Sequence, residues 1–404
     1  MSSAQQIVFD AFAPEHRANP YPRYALVRES TALYPLRPDI FMATRYPECS
    51  AIFSDSLWGH GYEAGINPFR PGVEPDDVPG SMLRMDPPDH TRVRALVKRA
   101  YIPRNAETLR DRIENLANEL IDKAIEAGEV DLMEALARPL PLTIIGDMIG
   151  IPREDHPAIN RWSLDFIKGT DPDIMQTPET LARRGEALLE FEAYFAWLIE
   201  QRRKEPREDM LTEMCAAVDR GELSGREPLG LAAVLVTGGY ETISDLLGKG
   251  IVALLRHPGQ IARWLAEPEL AGPAVEELLR YEPPVQFTHR VAFAERELGG
   301  RSFARGEGVV ILTAAANRDP LVYTDPERLD IGRFAGRSPA KRHLSFGEGL
   351  HFCLGAHLGR LETQIALDTL LHRAPKLSLT EDEPAWRDTV VIHGLDALPA
   401  RLRP

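Results

Sequence analysis

The strongest constraint on the fold is a long helical segment, SGREPLGLAAVLVTGGYETISDLLGKGIVALLRHP, at residues 224–258. It opens with Ser224 and Glu227 in the spacing of a capping box, and Pro258 marks its end. At about 1.5 Å per residue this helix would be roughly 50 Å long, enough to cross a whole domain. Its middle is apolar on all sides, so we expect it to be buried.

Helical periodicity dominates the rest of the chain as well. Residues 105–128 and 177–204 place apolar side chains at three- and four-residue spacing. The segments that resemble strands are short and occur late, at 284–293, 308–314 and 389–399. The sequence therefore predicts a mainly α fold with small β-sheets, and one domain over residues 1–404.

Two stretches show neither the helical nor the strand periodicity, and such long irregular segments are uncommon in a compact domain. Residues 58–82 are rich in glycine and proline, and residues 168–178 are polar. Loops of this kind are usually lids, binding loops or disordered segments. We leave these three alternatives open for both stretches.

Composition excludes several classes of function. The net charge of −14 makes bulk binding to nucleic acid or to an anionic membrane unfavourable. The first residues lack the apolar run of a signal peptide or a membrane anchor. The three cysteines, Cys49, Cys215 and Cys353, are far apart, which argues against a disulfide framework or a cysteine-only zinc site. These features predict a cytoplasmic protein.

Cys353 has the most unusual surroundings of the three cysteines, in HLSFGEGLHFCLGAHLGRLE at residues 343–362. Glycines on both sides allow tight turns, and a helical pattern follows directly. A position just before a helix N-terminus favours a thiolate. Such a thiolate could be a nucleophile with His351 as its base, or the ligand of a haem iron. The remaining alternative is an inert buried cysteine.

The segment FGEGLHFCLG resembles the haem-thiolate signature FGxGxHxCxG of the cytochrome P-450 superfamily. All six fixed positions agree: Phe346, Gly347, Gly349, His351, Cys353 and Gly355. The resemblance extends from about residue 20 to the end of the chain. It implies a triangular prism of helices with the long central helix over a haem b, and Cys353 as the axial ligand of its iron.

Four cationic or donor side chains resemble the family's contacts to the haem propionates. His90 and Arg94 share a helix face at i, i+4, and the alternative is a basic stripe on the surface. Arg290 and His351 match the remaining contacts, and His343 is a possible further member. Together the four would neutralise two buried carboxylates.

The middle of the long helix, VTGGYETIS, resembles the family's oxygen-activation site. Gly238 and Gly239 would make room for dioxygen above the iron, although two such glycines also suit close helix packing. Glu241 and Thr242 form an acid–alcohol pair that would deliver protons. These two residues are the predicted catalytic residues.

The segment EELLRYEPP resembles the family's structural Glu-x-x-Arg motif through Glu277 and Arg280. In the family this pair is buried and ties the core on the cysteine side of the haem together. A solvated surface pair is the alternative. Arg328, in DPERLD, is the predicted third member of the cluster.

The resemblance implies a monooxygenase that hydroxylates or epoxidises a lipophilic molecule, such as a secondary metabolite, terpenoid, polyketide or fatty acid. Electrons would come from NAD(P)H through a ferredoxin-type protein and its reductase, and we expect a monomer. The predicted pocket is lined by Leu83, Val234, Gly238, Val285, Phe287 and Ile392. The predicted docking face for the ferredoxin contains Lys98, Arg99, Arg104, Lys341, Arg342, His357 and Arg360.

Two alternatives to this function are open. A peroxygenase of the same fold would take its oxygen from hydrogen peroxide, and a thiolate-haem sensor would bind without turnover. The acid–alcohol pair of Glu241 and Thr242 argues against both.

Overall fold

The structure is a computed structural model, and it describes residues 13–70, 81–172, 175–337 and 339–403. The predicted stretches at 58–82 and 168–178 thus lie partly outside the described residues. Helices alternate with short strands in the first third of the chain, and most of the strands follow residue 287. A mainly α fold with small sheets is therefore confirmed.

The helices differ greatly in length, from one turn to eight. In chain order they are α1 (Tyr21–Ser30), α2 (Tyr46–Ser54), α3 (Asp89–Lys98), α4 (Pro103–Glu107), α5 (Arg110–Ala127), α6 (Pro139–Ile149), α7 (His156–Lys168), α8 (Pro178–Lys204), α9 (Met210–Asp219), α10 (Glu227–Leu255), α11 (Pro258–Ala266), α12 (Ala271–Tyr281), α13 (Thr313–Ala316) and α14 (Ala356–Arg373). None of the described helices combines the length and the apolar character that crossing a membrane requires.

The long helix α10 begins three residues later than the sequence predicted. Its carboxylate at Glu227 accepts a hydrogen bond of 2.6 Å from the N–H of Ser224, which is half of the predicted capping box. Arg226, not Ser224, precedes the first helical residue. Every residue from Ile243 to Leu254 is buried, so the prediction of a buried central helix is confirmed.

The other predicted helices are confirmed with shifted ends. The pattern at 105–128 is divided between the short α4 and the long α5. The helix predicted at 177–204 is α8, and the side chain of Thr177 caps it by accepting a hydrogen bond from the N–H of Thr180. Because α10 contacts α6, α8, α9 and α14, these helices form the walls around it.

The strands form one larger sheet and several small ones. They are β1 (Leu33–Arg37), β2 (Ile40–Ala43), β3 (Trp58–Gly59), β4 (Glu129–Asp131), β5 (Thr288–Ala292), β6 (Arg296–Leu298), β7 (Arg301–Phe303), β8 (Gly308–Ile311), β9 (Ser378–Leu379), β10 (Ala385–Trp386), β11 (Leu395–Ala397) and β12 (Pro399–Arg401). The largest sheet has the order β1-β2-β8-β5-β3, in which only β2 and β8 are parallel.

The position of β5 in this sheet matters for the site. Its residue Arg290 lies opposite Val309 of β8, and the guanidinium is buried. The C-terminal hairpin of β10 and β11 comes against α10 near its middle, because Arg387 at the end of β10 reaches Asp245 of that helix. The hairpin thus brings a charged side chain to the buried helix α10.

Candidate active site

The loop before Cys353 takes its shape from two glycines. Gly347 and Gly349 have φ angles of 63° and 68°, which glycine adopts without steric cost. A β-carbon at Gly349 would also collide with the backbone carbonyl of Phe53. The N–H of Cys353 donates a hydrogen bond of 2.8 Å to the carbonyl of Phe346. The glycines therefore fold the loop back on itself and fix the position of the sulfur.

Cys353 lies three residues before α14, as the sequence predicted, and protein atoms cover its side chain only in part. Burial nevertheless raises the pKa of its thiol. The N–H of Gly355 and the guanidinium groups of Arg94 and Arg360 oppose that rise. The start of the helix is therefore not enough to favour a thiolate, whereas coordination to a metal ion deprotonates a thiol outright.

The alternative of a nucleophilic cysteine has no base to support it. Burial is the largest cause that lowers the pKa of His351 to about 2, and the charges of Arg290, His90 and Arg94 contribute to the same value. Among the described residues, no group of three His, Cys, Asp or Glu side chains could hold a metal ion. A single thiolate instead suits an iron that brings its other ligands with it, as haem iron does.

The four residues predicted to hold the propionates come together in the structure. The rings of His90 and His351 have centroids 4.1 Å apart, and Arg290 and Arg94 lie close enough to depress the pKa of His90. Burial is the largest cause of that depression, which brings the pKa of His90 to about 4. Within the described part of the chain, neither ring nitrogen of His90 has a hydrogen-bond partner, nor has Nε2 of His351. The cluster thus presents several donors without acceptors.

Arg290 is the strongest sign that this cluster binds an anion. Its guanidinium is buried, and among the described residues it pairs with no carboxylate; the one hydrogen bond that it donates there goes to the carbonyl of His289. Burial lowers its pKa to about 10, and Asp86 is the group that opposes this. A buried charge without a partner is strongly unfavourable, so two propionates fit the site that these residues form.

His60 and His289 also belong to this cluster, and neither was predicted from the sequence. The ring of His60 lies 4.8 Å from that of His351 and 5.7 Å from that of His289. The carboxylate of Asp86 holds the loop by accepting hydrogen bonds from the N–H groups of His60 and Gly61, at 2.8 and 2.9 Å. A histidine between two glycines, in a stretch already considered as a binding loop, was the available signal.

His343 does not join this cluster. Its Nε2 lies 3.3 Å from a carboxylate oxygen of Glu276, and its Nδ1 accepts a bond from the N–H of Ser345. Arg360 is also committed to Glu276, through a bond of 3.0 Å and a second, shorter one. We therefore remove Arg360 from the predicted docking face, because its charge already has a partner inside the protein.

The two glycines of α10 have different surroundings. Gly238 is exposed although the helix is otherwise largely buried, and among the described residues no atom beyond its own stretch of helix lies within 4 Å of the place where its β-carbon would be. A β-carbon at Gly239 would instead come 3.0 Å from Ile145 of α6. Gly238 therefore faces open space, which we call the cleft. Gly239 permits close packing of α10 against α6, and its contribution to cofactor binding stays a prediction.

Thr242 lies one helical turn after Gly238 on the same face, and it is only half-buried. Its hydroxyl donates a hydrogen bond of 3.0 Å to the carbonyl of Gly238. The proton of the hydroxyl is thereby directed at the backbone, and its lone pairs can accept a hydrogen bond from a group in the cleft.

Glu241 is fully buried, and neither of its carboxylate oxygens has a hydrogen-bond partner among the described residues. Burial raises its pKa to about 7; Arg387 opposes this rise and Asp245 adds to it. Such a carboxyl group changes its protonation near neutral pH, as an acid catalyst must. Arg387 and Asp245 were not predicted from the sequence, because nothing in 385–397 signals a contact with α10.

The predicted pocket residues take various positions. Val285 and Ile392 form an isolated antiparallel bridge, which joins the segment before β5 to the C-terminal hairpin. Val234 lies one turn before Gly238, and Phe287 is buried with β1 and β2 residues around it. The side chain of Leu83 is 55% exposed, next to residues 71–80, which lie outside the described chain.

The structural cluster around Glu277 is confirmed for two residues and corrected for the third. Arg280 donates to both oxygens of Glu277, at 2.7 and 2.8 Å, and both side chains are fully buried. Arg333 completes the cluster with two bonds of 3.1 Å. The prediction of Arg328 is wrong: its side chain is 64% exposed and pairs with Asp330, and only its backbone carbonyl reaches Arg280.

Comparison with known proteins defines the class to which this fold and site belong. The sequence model of the Cytochrome P450 family matches residues 79–384. The chain is 35% identical to the cytochrome P450 monooxygenase PikC of Streptomyces venezuelae, over 97% of this chain and 93% of that protein. It is also 35% identical to the polyketide biosynthesis cytochrome P450 PksS of Bacillus subtilis, over 98% of this chain and 99% of PksS.

The fold also matches that of a solved cytochrome P450 structure. The ligand-free crystal structure of CYP164A2 from Mycobacterium smegmatis superimposes with a TM-score of 0.90 and 31% identity, covering 98% of this chain and all of that one. The chain therefore belongs to the cytochrome P450 family. It is a cytochrome P450 monooxygenase, and membership of this family implies haem as its cofactor.

Proposed function

We propose that this monooxygenase hydroxylates or epoxidises a lipophilic small molecule, and that residues 1–404 act as a single haem-thiolate domain. The observation that carries the proposal is the pair of Gly238 and Thr242 on one face of α10. A buried helix that exposes one glycine and one hydroxyl to a cleft provides space and a hydrogen-bond partner for a small reactant there.

The cysteine loop and the buried cluster of histidine and arginine side chains would hold the haem. Cys353 would be the ligand of the haem iron, and His90, Arg94, Arg290 and His351 would pair with the propionates, because the buried Arg290 has no carboxylate partner among the described residues. When bound, the haem supplies the activation of dioxygen, which the electron donation of a thiolate ligand promotes. Phe346 packs beside the same loop, with its ring 6.3 Å from that of Phe352.

The chain itself controls protons and water. The hydroxyl of Thr242 offers an acceptor in the cleft, and the neighbouring Glu241 holds a proton near neutral pH. The apolar positions Val234, Val285, Phe287 and Ile392 would bind the substrate and exclude water from it. The alternative of a peroxygenase is weaker, because dioxygen must receive two protons by way of the protein, whereas hydrogen peroxide already carries both and needs only to move one between its oxygens.

A polyketide-like or fatty-acid-like molecule is the substrate class that we propose. The pocket positions are apolar, which favours burial of hydrocarbon surface. One of the relatives, PksS, is named for polyketide biosynthesis. Such molecules contain unactivated C–H bonds, which a monooxygenase can hydroxylate, and alkenes, which it can epoxidise.

The electron donor that we propose is a small acidic ferredoxin, which would receive electrons from NAD(P)H through a reductase. It would dock on a proximal basic surface made up of Lys98, Arg99, Arg104, Lys341, Arg342 and His357, all of which are exposed. Arg342 stacks over the ring of Phe352, 4.3 Å from its centroid, directly beside Cys353. Opposite charge would raise the rate of association more than the affinity.

One experiment distinguishes the three functions. The haem-loaded protein is mixed with NAD(P)H, a surrogate ferredoxin and its reductase, and fatty acids and macrolide-type polyketides are screened for a shift of the Soret band. A compound that shifts the band should then yield an oxygenated product that depends on dioxygen. Product formed only with added hydrogen peroxide would establish the peroxygenase, and binding without any product would establish the sensor.

A further inference from the structure

Three ionisable residues follow one another at four-residue spacing along the buried face of α10. Glu241, Asp245 and Lys249 are each at most 1% exposed. Side chains four apart lie on one helix face, so the three form a continuous charged row inside an otherwise apolar helix. Burying charges is costly unless each has partners, and the partners must come from other parts of the chain.

Arg387 is the partner that the two acids share. Its Nη1 and Nη2 donate to the two carboxylate oxygens of Asp245, at 3.1 and 3.0 Å. Nη2 also lies near Glu241, but at 3.7 Å from Oε2, which is too long for a hydrogen bond. All three side chains are fully buried. The guanidinium therefore makes a two-pronged bond with Asp245 and only a loose contact with Glu241.

The C-terminal hairpin is shaped to make this bond. The N–H of Arg387 donates to the carbonyl of Gly394 across the hairpin, at 3.0 Å. A β-carbon at Gly394 would collide with the carboxylate of Asp245. Glycine at this position therefore lets the hairpin backbone lie directly on Asp245 and places the guanidinium between the two acids.

Other charged groups face the same site from each neighbouring element. Arg138, just before α6, lies near both acids, and Lys249 lies near Asp245. Asp396 approaches Arg387 from the solvent side, with Oδ1 at 3.6 Å from Nε. The hydroxyl of Tyr240 interacts with Oδ1 of Asn160, at 3.1 Å. Tyr240 also lies close enough to lower the pKa of Glu241, but in the described structure none of these groups meets the geometry of a hydrogen bond with Glu241.

We propose that Asp245 is a positioning residue for proton delivery: by holding the guanidinium of Arg387, it prevents Glu241 from forming a full ion pair and keeps that carboxyl able to exchange a proton near neutral pH. This inference rests on the proposed role of Glu241 in catalysis. A carboxyl group bonded by two guanidinium N–H groups stays ionised throughout the neutral range and is a poor acid. Burial raises the pKa of Glu241 to about 7, consistent with a loose contact.

The test is a direct titration of Glu241 in the ferric, haem-loaded protein. Infrared difference spectra record the C=O stretch of protonated carboxyl groups as the pH is varied, and Glu241→Gln identifies the band of Glu241. In Asp245→Asn the guanidinium becomes free for Glu241 and a like charge is lost. We expect the midpoint to move to lower pH by one pH unit or more, about a tenfold loss of proton affinity.

The matched control is Asp396→Asn, which removes a carboxylate from the solvent side of the same guanidinium. It should move the midpoint far less, because the side chain of Asp396 is 56% exposed and screened by water. An unchanged or raised midpoint in Asp245→Asn would overturn the proposal, and so would an equal shift in the control. If Asp245→Asn does not fold, Arg387→Gln should raise the midpoint, and no rise would overturn the proposal.

A second readout connects the titration to turnover. In Asp245→Asn the product formed per NAD(P)H should fall as the pH rises through the lowered midpoint, whereas the wild type should keep its yield until about pH 7. The two proteins should therefore differ most between the two midpoints, and a purely structural role would lower the yield at every pH alike. Failure of the proposed monooxygenase function is distinguishable, because it would leave the infrared titration intact while no oxygenated product appears in the wild type.

Discussion

Asp171, in the connection between α7 and α8, accepts a hydrogen bond of 2.8 Å from the backbone N–H of Val391, which lies 220 residues further along the chain. Its two oxygens also accept from the N–H of Val390, at 3.0 Å each. The carboxylate thereby joins the α7–α8 connection to the segment that contains the predicted pocket residue Ile392.

The burial of this carboxyl group gives a pH-dependent contribution to stability. Burial raises the pKa of Asp171 to about 6 and outweighs the bonds from Val390 and Val391. A group whose pKa is higher in the folded state stabilises that state below its unfolded pKa, near 3.9, and loses the contribution as the pH rises through about 6. Relative to Asp171→Asn, the wild type should therefore lose about 2–3 kcal/mol between pH 4 and pH 7.

Urea unfolding of both proteins at several pH values measures this difference. Taking the difference between the two proteins cancels the groups that they share. A difference that stays constant between pH 4 and pH 7 would show that the carboxyl of Asp171 has the same pKa in both states.

Replacing the proposed ligand should change the optical spectrum. Cys353→His should retain some haem, because His90, Arg94, Arg290 and His351 would still hold the propionates. The ferrous carbon monoxide complex should lose the red-shifted Soret band that thiolate ligation produces. Persistence of that band in Cys353→His would show that another residue is the axial ligand. Cys215→Ser, a buried cysteine on α9, serves as the control and should leave the band in place.

Removing the hydroxyl that faces the cleft should uncouple oxygen consumption from product. Thr242→Ala should bind substrate as the wild type does, yet release several times more hydrogen peroxide per NAD(P)H, because its acceptor for a group in the cleft is lost. Ser244→Ala is a matched control: its hydroxyl makes the same type of bond, to the carbonyl of Tyr240 at 2.8 Å, but it is fully buried. Equal peroxide release from both variants would remove Thr242 from the mechanism.

Reversing charge on the proximal basic surface should slow the first electron transfer. Arg99→Glu with Arg104→Glu changes two exposed side chains that have no ion-pair partner among the described residues. The rate should fall about tenfold at low salt and become equal to that of the wild type near 1 M, where the Debye length is about 3 Å. Stopped-flow reduction by ferredoxin under carbon monoxide measures it.

The control is a second double variant that changes the net charge by the same amount at another part of the surface. Arg207→Glu with Arg305→Glu alters two exposed residues outside the proximal basic surface. Similar slowing in both double variants would mean that total charge, rather than this surface, governs the encounter with ferredoxin.

The corrected cluster around Glu277 gives a prediction for stability. Arg333→Ala leaves the fully buried Glu277 with Arg280 as its remaining cation, and it should lower the free energy of unfolding by about 2–4 kcal/mol. Arg328→Ala removes an exposed side chain and should cost less than about 1 kcal/mol. Chemical denaturation of the two variants compares them directly, and the reverse order would restore Arg328 to the cluster.

Local chemistry in the sequence was sufficient to identify the parts of the site that depend on neighbouring residues. The glycines around Cys353 indicated a tight loop because positive φ angles are a property of the residue itself. The apolar middle of 224–258 indicated burial because helical periodicity repeats every few residues. The i, i+4 spacing of His90 and Arg94 placed both on one face of α3 for the same reason.

Partners that come from distant segments were decided only by the tertiary structure. Spacing shows which side chains share a face, but not what that face meets after folding. Gly239 meets Ile145, Arg360 pairs with Glu276, and Arg333 rather than Arg328 reaches Glu277. Arg387 approaches Asp245 across 142 residues of sequence. The reason is physical: a buried charge is stable only beside an opposite charge or a hydrogen-bond partner, and only the packed chain determines which one is within reach.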